Sequence, residues 1–322
     1  MTHLVEGPYF DDLTVGDVFE APSATLTSGR AAVHQSILGG RLQLSLDEHL
    51  SRAVAGRVLA DPGLVTDLAI GQSTPVTRRV VANLFYRGLA FHRMPEIGDT
   101  LRTRTEVVGL RQNSSRPSGL AALRMTTRDQ DDRLVLDFWR CAMLPLSSPD
   151  VSTGHADDLS AVGSPADPSA LLDSLADWDL TAWRPASGPE VETGAVWDLA
   201  AGDVVSSAPE LARSTLNLAH VHHDRFSQPT GRLVYGGHTI GLAAAHVSRT
   251  LPQLLTIAGW HGCDHTGPVR EGDTVVSRIE VEQVTEAAHG LRVADLRVIV
   301  RARADDGEDR PVLDWRPIVV LR

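Results

Sequence analysis

Seven of the 13 histidines fall between His220 and His265. The densest part of that region, NLAHVHHDRFSQPTGRLVYGGHTIGLAAAH from Asn217 to His246, sets three histidines and an aspartate within five residues and follows them with a Tyr-Gly-Gly-His turn. Two chemistries suit these residue types. Imidazoles spaced as His220-x-His222-x-Asp224 can converge on a metal and its hydroxide, whereas imidazoles acting singly can move protons, because a neutral ring titrates near physiological pH. The metal pattern is incomplete, since Arg225 stands where a further histidine would close it. No metal is expected.

The elements that must position these side chains can be read around them. Rich in Ala and Gly, the stretch Gly237 to Arg249 suits a helix packed closely against other backbone, and Asp61 to Gln72 suits a second helix of the same kind. Behind each helix lie three segments in which apolar and polar residues alternate, as half-buried strands require. They run from Thr100 to Val108, Gly119 to Thr127 and Arg133 to Leu144, then from Thr274 to Val284, Leu291 to Ala304 and Pro311 to Leu321.

This recurrence is an internal repeat. DDLTVGDVFEAP (Asp11 to Pro22) resembles WDLAAGDVVSSAP (Trp197 to Pro209), EIGDTLRTRTEV (Glu96 to Val107) resembles REGDTVVSRIEV (Arg270 to Val281), and VLDFWR (Val135 to Arg140) resembles VLDWR (Val312 to Arg316). One central helix wrapped by a curved antiparallel sheet is the hot-dog arrangement. The expected fold is therefore α+β, a double hot dog: residues 1–147 form the first copy, residues 148–190 a linker rich in Ser, Pro, Asp and Gly, and residues 191–322 the second copy. A short helix is expected in the linker around Ala170 to Leu175.

Composition narrows the partners. A formal net charge of −11 over 322 residues argues against a nucleic-acid or anionic-membrane ligand. Every basic residue is arginine, which removes Schiff-base lysine chemistry and a phosphate-loop lysine. Two cysteines, Cys141 and Cys263, make no disulfide framework and read as small buried hydrophobes in a reducing compartment. No signal segment and no run of about 18 apolar residues is present, so a cytoplasmic protein is expected. Exposed sheet surfaces leave room for a homodimer.

A polar residue five positions ahead of a histidine, then a loop, an aliphatic run and a glycine turn opening a helix, resembles the MaoC-like family of (R)-specific enoyl-CoA hydratases. VANLFYRGLAF, GDTLRTRTEVVGLRQNSS, RLVLDFWR and RLVYGGHTIGLA are similar to the branch of that family that hydrates mesaconyl-CoA. The resemblance implies an acyl-CoA substrate, branched or carboxylated acyl groups among them, and a hydro-lyase without cofactor. It places the catalytic histidine on His222, the family's aspartate on Asn217, and the turn on Tyr235, Gly236 and Gly237. It also implies that the first copy, with Gly40 and Ser45 at the corresponding places, has lost its catalytic pair.

On this resemblance His222 is the base for water, and Asn217, unable to take a proton, positions that water through its amide oxygen. Backbone N–H groups of Gly236 and Gly237 hold the thioester oxygen, because glycine admits close approach and a helix start presents unpaired donors. Tyr235, His238 and Arg41 are expected to contact substrate, with His34 and Arg93 as further basic candidates. Two other readings stay open: a thioesterase, which would draw on a carboxylate such as Asp224, and a non-catalytic acyl-CoA binding protein.

Overall fold

Residues 6–229, 231–303 and 309–322 are described by the computed structural model. The first half runs β1 (Val18–Glu20), β2 (Ala24–Thr25), α1 (Ser28–Leu38), α2 (Gln43–Leu46), α3 (Glu48–Ala55), α4 (Pro62–Gln72), β3 (Ala82–Phe91), β4 (Thr100–Gln112), β5 (Ser118–Arg128) and β6 (Leu134–Pro145). After α5 (Ser169–Ser174) the second half runs β7 (Val196–Asp198), β8 (Asp203–Val204), α6 (Ala208–Ser214), α7 (Gly236–Thr250), β9 (Leu254–His265), β10 (Thr274–Glu286), β11 (Arg292–Arg303) and β12 (Asp309–Leu321).

The strands form one antiparallel sheet in the order β1-β4-β5-β6-β3-β9-β12-β11-β10-β7, with β2 on β4 and β8 on β10. It wraps the two central helices α4 and α7 as a double hot dog. The halves join where β3 pairs with β9, Tyr86 opposite Cys263 and Ala90 opposite Gly259. A Cβ on Gly259 would lie 2.0 Å from the Leu89 carbonyl oxygen, so glycine is what lets these two strands close the seam.

Local chemistry explains α4. Asp61 caps it by accepting the Gly63 N–H at 2.7 Å, Pro62 supplies its first turn, and Leu64 to Gln72 are buried without interruption. A helix apolar on every side belongs in the middle of a fold. Helix α7 takes the same place in the second half, and the helices are clasped to their sheets in the same manner. Gln72 Oε1 accepts from Thr103 Oγ1 at 2.8 Å, while His246 Nδ1 meets Ser277 Oγ at 2.6 Å and its Nε2 meets Asp203 Oδ2 at 2.8 Å.

Sheet register corrects one landmark of the repeat. Val18, Phe19 and Glu20 pair with Glu106, Thr105 and Arg104, and it is Val196, Trp197 and Asp198 that pair with Glu280, Ile279 and Arg278. Gly16, left-handed at φ 97°, donates its N–H to the Val107 carbonyl at 2.8 Å, and Gly194, at φ 89°, does the same to Val281 at 2.9 Å. The true counterpart of Val15-Gly16-Asp17 is thus Thr193-Gly194-Ala195, and the Gly-Asp pair at Gly202 and Asp203 is a coincidence of sequence. The segment between the halves packs down, with Leu171, Leu175 and Trp183 buried and the Asp179 N–H bound to the Val54 carbonyl at 2.8 Å.

Candidate active site

A cavity of about 450 Å³ lies between the halves, a size that suits a small-molecule site. The end of α4, the turn after it, β3 and Arg140 of β6 wall it on one side. The segment from Asn217 to His222, the start of α7 and the turn after β9 wall it on the other. Among the described residues, no aspartate or glutamate lines it.

The segment carrying Asn217 and His222 is built onto the first half. A Cβ on Gly71 of α4 would meet the Thr215 carbonyl oxygen at 1.7 Å, so glycine there admits the segment. Thr74 Oγ1 then accepts the Leu218 N–H at 2.9 Å, and the Arg78 carbonyl accepts the His220 N–H at 2.9 Å.

Asn217 is buried and lines the cavity, but its Oδ1 already accepts the Ala219 N–H at 2.9 Å. Because that partner can only donate, the free end of the amide is its NH₂ group. The side chain can therefore donate to an oxygen in the cavity through its unspent NH₂ group, while Oδ1 keeps a second lone pair with which it can still accept.

His222 donates from Nδ1 to the Leu233 carbonyl at 3.0 Å, since that oxygen can only accept. The tautomer is thereby fixed with Nε2 bare. Burial, partly offset by the Leu233 hydrogen bond, lowers the pKa of the ring to about 4, and the nearby positive charge of Arg140 adds to the depression. His222 is held as a neutral imidazole with an available lone pair. Its ring lies 5.6 Å from that of Tyr235.

Tyr235 precedes α7 and also lines the cavity, its hydroxyl donating to Asp67 Oδ1 at 3.1 Å. Asp67 Oδ2 meets His34 Nε2 at 3.0 Å, both side chains buried. This His34–Asp67–Tyr235 chain crosses from α1 through α4 to the start of α7. Both glycines are dictated by neighbours: a Cβ on Gly236 would meet His265 Nε2 at 2.6 Å, and one on Gly237 would meet Asp67 Oδ1 at 2.0 Å. Gly236 lines the main cavity and Gly237 does not.

Other candidates are placed elsewhere. His238 is fully buried, does not line the cavity, and has no partner on either ring nitrogen; burial lowers its pKa to about 4. Arg41 is exposed, and its N–H donates to Ser248 Oγ at 3.0 Å, near the far end of α7. Neither reaches the cavity as expected for substrate contacts. Arg93 is committed to Asp99 at 2.8 Å and to Asp129. His223 donates to the Asn217 carbonyl at 2.6 Å, and Asp224 accepts the Phe226 N–H at 2.8 Å, so these two members of the HVHHD run are spent on local contacts while His222 lines the cavity.

Two cavity residues, and one that stands behind the wall, were not singled out from the sequence. His265 lines it against Gly236, with a pKa brought to about 4 by burial. Asp67 sits behind it. Arg140 is turned into it, and here a signal was available. Counted from the shared Val-Leu-Asp, Arg140 stands one residue farther along than Arg316, and a shift of one residue on a strand reverses the face. Arg316 accordingly points outward to Glu282 at 3.5 Å, while Arg140 is buried. Together the site offers a bare imidazole nitrogen, an amide donor, a helix start and two guanidinium groups, those of Arg140 and Arg270, around a space walled by apolar side chains and threonines.

No family model matches the chain. A conserved hypothetical protein from Mycobacterium tuberculosis with a double hot-dog fold is 53% identical and superposes with a TM-score of 0.89 over 98% of this chain and 99% of that one. A putative MaoC domain protein dehydratase from Chloroflexus aurantiacus shares the fold at 24% identity, with a TM-score of 0.86 over 100% and 99% of the two chains. Among curated relatives, beta-methylmalyl-CoA dehydratase of Chloroflexus aurantiacus is 28% identical over 96% of this chain and 90% of its own length. Mesaconyl-CoA hydratase of Cereibacter sphaeroides is 28% identical over 95% and 94%. The chain has the double hot-dog fold, and along nearly its whole length it is similar to this hydratase and this dehydratase.

Proposed function

We propose that the protein is a hydro-lyase that reversibly adds water to the double bond of an enoyl-CoA to give a 3-hydroxyacyl-CoA. The observation that carries the reading is His222, neutral by burial and tied through Nδ1 to Leu233, with its bare Nε2 in the cavity beside the start of α7.

Water, held by the Asn217 NH₂ group, loses a proton to His222 Nε2 as its oxygen bonds to C3. The displaced double-bond electrons collect on the thioester oxygen, where the Gly236 N–H at the helix start stabilises them; a donor in that role is worth about 10² to 10³ in rate. The imidazolium then returns the proton to C2, so that H and OH add to one face and the base is restored. The reverse sequence expels water. CoA enters as part of the substrate, and no cofactor takes part in these steps. On this reading residues 191–322 supply the base and the helix start, and residues 1–147 supply the opposing wall.

A thioesterase finds less support. Asp224 is exposed and caps its own turn, and the Ser277–His246–Asp203 arrangement is the counterpart of the Gln72–Thr103 clasp, with Ser277 buried and none of the three lining the cavity. The test is the loss of enoyl-thioester absorbance over a panel of enoyl-CoAs that includes mesaconyl-CoA. Turnover by the wild type and none by His222→Ala is expected; equal turnover by both, or release of free CoA thiol, overturns the reading.

A further inference from the structure

A second imidazole lines the cavity, and the hydration steps leave it unused. His265 ends β9, where it pairs with Leu313 of β12 and its ring lies 5.8 Å from that of Tyr86. Its Nε2 is packed against the start of α7, 2.6 Å from where a Cβ on Gly236 would stand, and is sealed in without a partner. Nδ1 also makes no hydrogen bond to the described residues, but it is not sealed, and its open surface gives onto the cavity that His265 lines.

These surroundings decide which nitrogen carries the proton. The first N–H groups of a helix form its positive end. A lone pair facing that end is favoured, whereas an N–H there would meet like partial charge and find no acceptor. Nε2 is therefore bare, and the proton sits on Nδ1, at the cavity. Burial holds the ring neutral, with a pKa of about 4, and the helix start opposes a positive charge as well. His222 is the reverse case: its Nδ1–H is spent on Leu233 and its Nε2 is free to accept. One ring offers the cavity a lone pair and the other a proton. A neutral imidazole kept so by a helix start is an effective electrophile toward a carbonyl oxygen.

We propose that His265 is a catalytic residue, its Nδ1–H donating to the thioester oxygen together with the Gly236 N–H. The assignment rests on the hydro-lyase reading for the reaction, and on the packing of His265 against Gly236 for the atom it meets. As electrons collect on that oxygen during attack at C3, two donors rather than one meet the charge. No proton leaves His265 in any step; its hydrogen bond strengthens and then relaxes.

The test uses butyryl-CoA isotopically labelled at the thioester carbonyl carbon, an ester that lacks the double bond and cannot be hydrated. Infrared spectra of the bound ester are compared for wild type, His265→Phe and His265→Gln, with calorimetry to follow binding and thermal melting to verify folding; His265→Leu serves if the Phe variant does not fold. Wild type is expected to lower the carbonyl frequency. In His265→Phe the band moves back up, and His265→Gln, whose amide can donate, restores part of the shift. On an enoyl-CoA that turns over, His265→Phe is expected to lose about 10² to 10³ in kcat with little change in KM, the usual worth of one such donor. A band at the same frequency in all forms overturns the proposal, whatever the variants do to binding. Because the ester does not react, the two readings fail separately: turnover of an enoyl-CoA with a band indifferent to His265 overturns this one alone, and a band that depends on His265 without any turnover overturns the hydro-lyase alone. Failure of the wild type to bind butyryl-CoA overturns both.

Discussion

Tyr235 and Asp67 meet across the two halves of the chain, the phenol donating to Asp67 Oδ1 at 3.1 Å while His34 holds the other oxygen at 3.0 Å. The contact fixes the residue that opens α7 to the helix at the centre of the opposite half. Since Tyr235 also packs against His222, a carboxylate outside the cavity governs where the base and the helix start stand relative to one another.

Asp67→Ala should therefore cost about 3 kcal/mol of stability, the usual penalty when a buried polar pair loses one partner, and Tyr235→Phe about 1 kcal/mol. In the double variant the two costs should not add, because they share one interaction. Chemical denaturation of the four forms gives the coupling; strict additivity would mean that the contact does not hold the halves together.

The pH dependence of hydration follows from His222. Catalysis needs its neutral form, and with a pKa of about 4 that form prevails far below the range of an ordinary imidazole. The expected kcat/KM is flat from pH 8 to about pH 5 and falls only as the pH approaches 4. A profile that instead fell through pH 6.5 would show an imidazole exposed to water in the working enzyme.

Asn217→Asp tests the amide. One carboxylate oxygen would keep the Ala219 N–H, and the other would face the cavity where the NH₂ group now stands. The variant gains a proton acceptor beside His222 and a negative charge that raises the His222 pKa. The acid limb of the rate profile should move upward in pH, by an amount that a side-by-side titration of activity reads directly. An unmoved limb would place Asn217 away from the reacting atoms.

Much of this architecture was legible before any coordinates. The meanders announced themselves by alternation, and the central helices by small residues. The two seam strands did not: β9 is buried at every position from Leu254 to Trp260, so its sequence is a plain apolar run rather than an alternating one. The Ser- and Pro-rich segment between the halves looked like a free linker, whereas its leucines and tryptophans pin it down. At the site, the resemblance to the family pointed to His222 and Gly236, and both line the cavity. Asp67 could not, since an acid on an apolar helix acquires its role only from partners far away in sequence, and Arg140 was hidden by a one-residue offset between two similar motifs.

Acid sensitivity of the fold supplies the last test. His222, His238 and His265 all have pKa values brought down to about 4 by burial, against about 6.5 in an unfolded chain. Between those limits the unfolded chain binds protons that the folded one refuses, so stability falls as the pH drops from about 6.5 to 4 and is complete above that range. His238 isolates the effect, being fully buried, outside the cavity and without a partner on either ring nitrogen. Leucine at that position removes one titrating group and one unsatisfied polar side chain together. His238→Leu should match or exceed the wild-type Tm at pH 7.5 and gain on it steadily as the pH is lowered to 5, a divergence that thermal melts across the range would record. Parallel curves would mean that His238 takes up its proton without unfolding, against the burial that opposes its charged form.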